Sequence, residues 1–217
     1  QLPVGKLVRL LVVIPSKKEQ EKISEALLSI DSLISKLDQL IQKKKNIKQG
    51  AMQELLTGKR RLPGFSGEWV EKKLDQIADF YKGSGLSKSK IVNDGKYPCI
   101  LYGELFTTYS EVINQVISHT NAIEGLTSKK GDVLLPGSTT TSGIDLATAS
   151  SLEVENVLLG GDMIVLRKKT NEAFNSKFLA HYLTHISKYK IAEISQGITI
   201  IHLHGSRLKD ISIFVPS

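Results

Sequence analysis

Three stretches of this 217-residue chain gather side chains suited to polar contact. The first is Gly137-Ser138-Thr139-Thr140-Thr141-Ser142-Gly143, five hydroxyls in a row between two glycines. Small hydroxyl side chains beside accessible amides suit phosphate oxygens and base edges. The second is a polar loop, residues 82–90, which brings Lys82, Ser84, Lys88 and Lys90. Its lysines suit phosphate contact. The third runs from Gln196 to His204 and carries Thr199, His202 and His204. Tyr102 offers an aromatic ring that would reach a groove. Solvated loops share the composition of the first two stretches, and Tyr102 and Tyr109 suit a core equally well.

Catalytic patterns are missing from the same sequence. The six prolines stand at positions 3, 15, 63, 98, 136 and 216 and none are adjacent, so an Asn/Asp-Pro-Pro-aromatic methylation motif is absent. There is no Gly-x-x-x-x-Gly-Lys-Ser/Thr phosphate loop. Gly83-Ser84-Gly85 lacks the third glycine of a dinucleotide turn. The single cysteine, Cys99, cannot build a cysteine-pair zinc site or an internal disulfide, and it fits a reducing cytoplasm. His202 and His204 alternate on a strand and share one face, but no carboxylate or third histidine stands close in sequence. No nucleophile elbow marks any serine. The reading is no catalytic residue, no metal ligand set and no cofactor of the chain's own.

The element that orders the chain is a helix beginning after Ser16. Ile23, Leu27, Ile30, Ile34, Leu37 and Ile41 recur at alternating gaps of four and three, the narrow stripe of a coiled coil. Ser16 with Glu19 forms a capping box, Pro15 bars an earlier start, and Gly58 followed by basic residues and Pro63 marks the end. From Glu19 to Leu56 the helix spans about 57 Å at ~1.5 Å per residue. A stripe of that length in water calls for a partner helix, either a second similar helix or the chain's own domain.

Charge follows the same division. The net charge is +7, of which residues 17–61 supply +5 (eleven basic, six acidic) and residues 1–16 supply +2. Residues 62–217 carry sixteen of each sign and sum to zero. No run is long enough to span a membrane. Residues 57–69 form a Gly/Pro-rich connector in which Phe65 and Trp69 are expected to pin the next domain. Residues 62–217 then read as a mixed α/β (α+β) domain of many short strands. Among its strands, 157–159 and 163–166 are expected to pair as a hairpin about Gly160-Gly161-Asp162. A helix is expected over 175–194, and an alternating strand over 198–203.

The first and last residues repeat each other. LVRLLVVIPS (7–16) aligns without gaps on LKDISIFVPS (208–217), and alternating apolar positions make each a strand closing at Pro-Ser. The chain thus reads as one period of a larger repeat. Residues 1–16 would be the closing strand of a preceding or paired domain, 17–61 a coiled-coil helix, and 62–217 a globular domain.

Four stretches resemble the specificity subunit of type I restriction-modification enzymes. Pro15-x-x-x-Glu19-Gln20-x-x-Ile23 is similar to that family's helix start, with one more residue between Pro and Glu than its pattern has. Leu55-Leu56-Thr57-Gly58-Lys59 and Gly64-Phe65-Ser66-Gly67-Glu68-Trp69 resemble its junction from helix to target-recognition domain. Gly131-Asp132-Val133-Leu134 resembles a mid-domain strand start, and residues 208–217 the closing strand. The resemblance implies a non-catalytic DNA reader with two recognition domains separated by two antiparallel helices. Each domain would read one half of a split site on double-stranded DNA. Methylation subunits, which hold S-adenosylmethionine, would dock on the helices, and motor-nuclease subunits would join them in the cytoplasm. This chain has one domain and one helix, so it is expected to be a homodimer through the helix or half of a longer chain. The recognition segment of a single-chain restriction-methylation enzyme and a coiled-coil adaptor that binds only protein stay open as alternatives.

Overall fold

The chain is described from a computed structural model, which covers residues 8, 11–170 and 174–216. A long N-terminal helix is followed by a mixed α/β domain of short strands and helices. The chain divides into two compact units, residues 1–50 and 51–217.

Helix α1 runs from Lys17 to Leu55. Ser16 caps its start as expected, the Glu19 amide donating to Ser16 Oγ at 3.4 Å. Gln20 adds a bond from Nε2 to the Pro15 carbonyl at 2.7 Å. Its end is set by Gly58 at φ +70°, a left-handed conformation in which the Arg60 amide reaches back to the Glu54 carbonyl. No residue of α1 is buried. Residues 11–16, before it, take no regular structure, and Leu11 and Val13 are fully exposed. The strand expected within 7–16 lies partly outside the described residues. As the closing strand of another domain, it would need that domain's edge to pair with.

The second unit is built on a five-stranded sheet in the order β2-β11-β7-β9-β4. Its strands are β2 (Ala78–Lys82), β4 (Val112–Ile113), β7 (Asp132–Pro136), β9 (Ser150–Leu152) and β11 (Met163–Lys168). Strand β7 is apolar at every interior position because both of its faces are covered. Val133 and Leu135 join Ile164 and Leu166 in one core, with the helices α4 (Ser176–His185) and α5 (Lys188–Ile194). Leu134, Met163 and Val165 face the other way, into a second core with Ile100 and Leu159. The period of two along β7 and β11 is thereby used on both sides.

Ile100 and Leu159 belong to a four-stranded sheet in the order β5-β3-β10-β6. It is made of β3 (Tyr97–Leu101), β5 (His119–Thr120), β6 (Leu126–Thr127) and β10 (Leu158–Gly160). This corrects the hairpin expected at Gly160-Gly161-Asp162. Strand β10 pairs with β3 in parallel and with β6 antiparallel, while β11 pairs with β2 and β7. The chain changes sheets at Gly161 (φ +77°) because both strands are apolar on two faces and each needs a sheet of its own.

Two small ribbons complete the unit. β1 (Trp69–Lys73) pairs antiparallel with β13 (Ser212–Pro216), so Trp69 stands opposite Pro216 and the ends of the domain meet. Trp69 lies against Gly58, where a Cβ would come within 3.0 Å of its ring, and meets Phe178 edge-on at 5.9 Å. Trp69 therefore pins the connector as expected, while Phe65 stays 66% exposed. β8 (Ser138–Thr139) pairs with β12 (Ile201–His202). Short helices α2 (Leu74–Ile77), α3 (Glu104–Thr107) and α6 (Gly205–Leu208) link the strands. The helix expected over 175–194 breaks into α4 and α5 at Ser187, whose amide caps back to the Tyr182 carbonyl at 3.1 Å.

Candidate nucleic-acid interface

The β8–β12 ribbon is where most of the expected contact residues meet. His202 lines two clefts, one on either side of it. The first, about 580 Å³, is walled by Lys82, Asp162, His202, His204 and Lys209. The second, about 620 Å³, is walled by Tyr102, Phe106, residues 138–141, Asp145 and Ile200.

The first cleft is organised by Asp162. Its carboxylate lies 3.3 Å from Lys82 Nζ and 3.6 Å from His202 Nδ1. The His202 and His204 rings stack at 6.3 Å and 18°. Gly137 permits the closeness: a Cβ there would stand 2.7 Å from Asp162 Oδ1, and the Gly137 amide donates to the Asp162 carbonyl at 2.6 Å. Buried Leu203, whose amide bonds the Gly137 carbonyl at 2.8 Å, anchors the strand between the two histidines.

The hydroxyl run is not the loop tip that its composition suggests. Ser138 and Thr139 are ladder residues, buried to 7% and 8% exposure. Thr139 Oγ1 lies 2.8 Å from Thr141 Oγ1, which in turn contacts Asp145 Oδ2 at 2.5 Å. Ser142 caps the 3-10 helix Gly143–Ala147, its hydroxyl accepting from the Ile144 amide. Thr140 is exposed at the turn between them. The loop is thus held from within, and Thr140, Thr141 and Ser142 face solvent from a fixed backbone.

Opposite it, residues 196–202 form a tight projecting loop. Gln196 and His202 exchange both backbone hydrogen bonds, at 2.9 and 2.7 Å. Gly197 (φ +136°) is required at the turn, since a Cβ would fall 1.9 Å from the Ile200 carbonyl oxygen. The tip is apolar: Ile198 is 98% and Ile200 49% exposed, on either side of exposed Thr199. In the amide orientation that its neighbours dictate, Gln196 Oε1 accepts from Arg207 Nη2 at 2.8 Å.

Residues 66–217 match the family described as the type I restriction modification DNA specificity domain. The chain belongs to that family. It is the family of the non-catalytic specificity subunit of type I restriction-modification systems. Three solved structures share the fold. The type I S subunit from M. genitalium matches with a TM-score of 0.53 at 19% identity, over 73% of this chain and 37% of that one. The HsdS subunit from Thermoanaerobacter tengcongensis matches with a TM-score of 0.53 at 16% identity, over 94% and 48%. A structure from work on complex assembly and conformational transition of the type I system matches with a TM-score of 0.58 at 16% identity, also over 94% and 48%. The chain spans half or less of the length of these proteins. No curated protein matches it.

Within the family's domain, the ribbon collects Lys82, Tyr102, residues 138–141, His202 and His204 from segments far apart in sequence. The Tyr102 ring packs on Gly161 and lines the second cleft. Ser84, Lys88 and Lys90 are not brought to either cleft. Their loop is tied down by Leu86, which packs on Cys99 and Leu158, and Lys90 Nζ donates to the Gly85 carbonyl at 3.0 Å. Sequence reading passes over Asp162, Lys209, Ile198 and Ile200. Asp162 reads as part of a turn motif, and the two isoleucines as part of an alternating strand. Cys99 has no part in the site: burial, with Glu104 beside it, pushes its thiol up to about 11, so it stays protonated and unreactive at neutral pH. Among the described residues no helix is long and apolar enough to cross a membrane.

Proposed function

We propose that this chain is the DNA-reading unit of a type I restriction-modification complex and reads one half of a bipartite site. The observation that carries the reading is the convergence of Lys82, Thr140, His202 and His204 on the two clefts that flank the β8–β12 ribbon inside the family's domain. Lys82 and Lys209 hold phosphates. Thr140, Thr141, Ser142 and the 196–202 loop address base edges, with Gln196, Thr199, His202 and His204 as donors and acceptors. Ser84, Lys88 and Lys90, on their own loop, serve the phosphate backbone. The chain carries out no chemistry; S-adenosylmethionine belongs to the methylation subunit that docks on α1, and the complex works in the cytoplasm. The closing ribbon supports a two-domain arrangement. Residues 208–217 include β13, which pairs with β1, and residues 7–16 repeat that sequence. They would pair in the same way with the β1 of a second copy or of a preceding domain.

The test separates position from reading. Lys82→Ala is expected to weaken binding to all duplexes alike and to lower the salt slope by about 1. Thr140→Ala is expected to leave that slope intact and to change the preferred sequence, by roughly 1–3 kcal/mol at one base. Selection from a random duplex library at two salt concentrations reads both. A Thr140→Ala chain that selects the same sequence with the same affinity would remove the loop from the reading surface.

A further inference from the structure

We propose that Glu111, His181 and His185 form a binding site for a divalent transition ion of the zinc class. The site lies outside both clefts described above and is independent of the DNA-reading assignment. One potential ligand atom from each residue lies within 4.8 Å of the other two. His181 and His185 stand four apart on α4, so their rings leave one helix face. They stack at 6.0 Å and 21°. Both address the same carboxylate oxygen, Glu111 Oε1, with His185 Nε2 at 2.6 Å and His181 Nδ1 at 3.7 Å. Two ligands at ~2.0–2.1 Å from a tetrahedral ion stand roughly 3.3–3.4 Å apart. The two histidine–carboxylate distances bracket that value, and the histidine nitrogens lie within 4.8 Å of each other, so the three side chains would close on the ion by rotation.

The backbone under the three residues is fixed. Ser150 Oγ donates to the Ser110 carbonyl at 2.8 Å, and the Ser151 amide donates to the Glu111 carbonyl at 2.9 Å. On the helix, Thr184 Oγ1 accepts from the Ala149 amide at 3.0 Å, and Tyr182 OH accepts from the Phe214 amide at 3.2 Å. Ligands on anchored elements need little ordering when the ion arrives. Two imidazoles and one carboxylate suit zinc, cobalt or nickel rather than calcium or magnesium. The side chains of Glu111, His181 and His185 are 15, 28 and 30% exposed, which leaves water a fourth position. The ion would replace the proton in the His185–Glu111 contact and clamp α4 to the residue preceding the edge strand β4, across 74 residues of chain.

The test uses the whole chain freed of metal with a chelator, then titrated with zinc chloride by calorimetry and with cobalt chloride by visible absorption. One ion per chain is expected, with the cobalt spectrum of a low-coordinate nitrogen–oxygen site and a raised unfolding temperature. His181→Ala leaves the His185–Glu111 contact in place and so keeps the fold. It is expected to weaken zinc by more than the ~10–100-fold lost when only a ligand's outer hydrogen-bond partner is changed. Glu111→Gln should do the same, while His202→Ala with His204→Ala should leave binding unaltered. Zinc affinity that survives both His181→Ala and Glu111→Gln, or that disappears in the His202/His204 variant, would overturn the proposal, as would a native chain that takes up no zinc.

Discussion

In α1, Ile23, Leu27, Ile30, Ile34, Leu37 and Ile41 are 47–58% exposed, whereas Val133, Leu134 and Leu135 of β7 are fully buried. The domain completes its own burial, with a sheet covered on both faces. The helix completes none: its local bonds, such as Lys22 to Glu25 at 2.7 Å and Gln42 to Asn46 at 2.9 Å, are surface contacts worth a few tenths of a kcal/mol each. Its apolar stripe is also wider than the six seam positions. Leu33, Leu40 and Ile47, spaced by seven, are 50–58% exposed beside it. A stripe with that third row is broader than a strict two-stranded seam and matches a helix that faces more than one neighbour. One region is therefore stable by its own packing, and the other presents an exposed apolar stripe that calls for a covering partner.

The sharpest way to break this contrast is to attack the stripe. We expect the isolated chain to form a two-fold symmetric antiparallel pair through α1. Ile30→Lys combined with Leu37→Lys should then sediment as a monomer, with the denaturation midpoint of the domain unchanged. A native chain that stays monomeric at high concentration would remove the pairing, and a shifted midpoint would show that the regions share their stability.

The converse change lies in the domain. Arg167 grips Asp132 with two bonds, Nε to Oδ1 at 2.9 Å and Nη2 to Oδ2 at 2.7 Å, while Tyr81 covers the guanidinium at 4.8 Å. The hydrogen bond to Asp132 holds Arg167 above the usual arginine range. The Asp132 side chain is 1% and the Arg167 side chain 14% exposed. Asp132→Ala would strand a mostly buried cation, so a loss of about 3–5 kcal/mol is expected in urea unfolding. It also frees the Lys129 amide that Asp132 Oδ2 accepts from at 2.9 Å. A loss under about 1 kcal/mol would mean that water already reaches the pair.

The same contrast explains which features are legible in the sequence. Helix α1 obeys local rules: Ser16 and Gly58 mark its ends, and the gaps of four and three reveal its stripe. The strands β7 and β13 are legible as well, because a buried run after Lys129-Lys130-Gly131-Asp132 and an alternating run before Pro216 are each short-range signals. The break at Ser187 and the sheet change at Gly161 are not. The break depends on how the Ser187 amide finds the Tyr182 carbonyl as the helix packs, and the sheet change on β3 and β6, distant segments that pair with β10. The candidate site divides in the same manner. Its residue types are visible, yet the burial of Ser138 and Thr139 depends on pairing with Ile201 and His202, some sixty residues away. Glu111 cannot be joined to His181 and His185 without the fold, although the histidine spacing itself is in plain view.

The smallest expected effect tests whether the helix acts as a ruler between two recognition domains. Lys43, Lys44 and Lys45 interrupt the stripe between Ile41 and Ile47, so added residues there disturb the least apolar contact. Four extra residues lengthen the helix by ~6 Å at ~1.5 Å per residue, and overshoot one turn by about 40° at ~3.6 residues per turn. Along DNA at ~3.4 Å per base pair that is at most about two pairs. The half-sites should move apart by that amount, each half keeping its sequence, because the β8–β12 ribbon is untouched. Two extra residues instead rotate the remainder of the chain by about 200° and should abolish binding to the split site. Methylation-site mapping of DNA modified by the reconstituted complex measures the spacer directly. A spacer unchanged by the four-residue insertion would show that the distance is set elsewhere than in the helix.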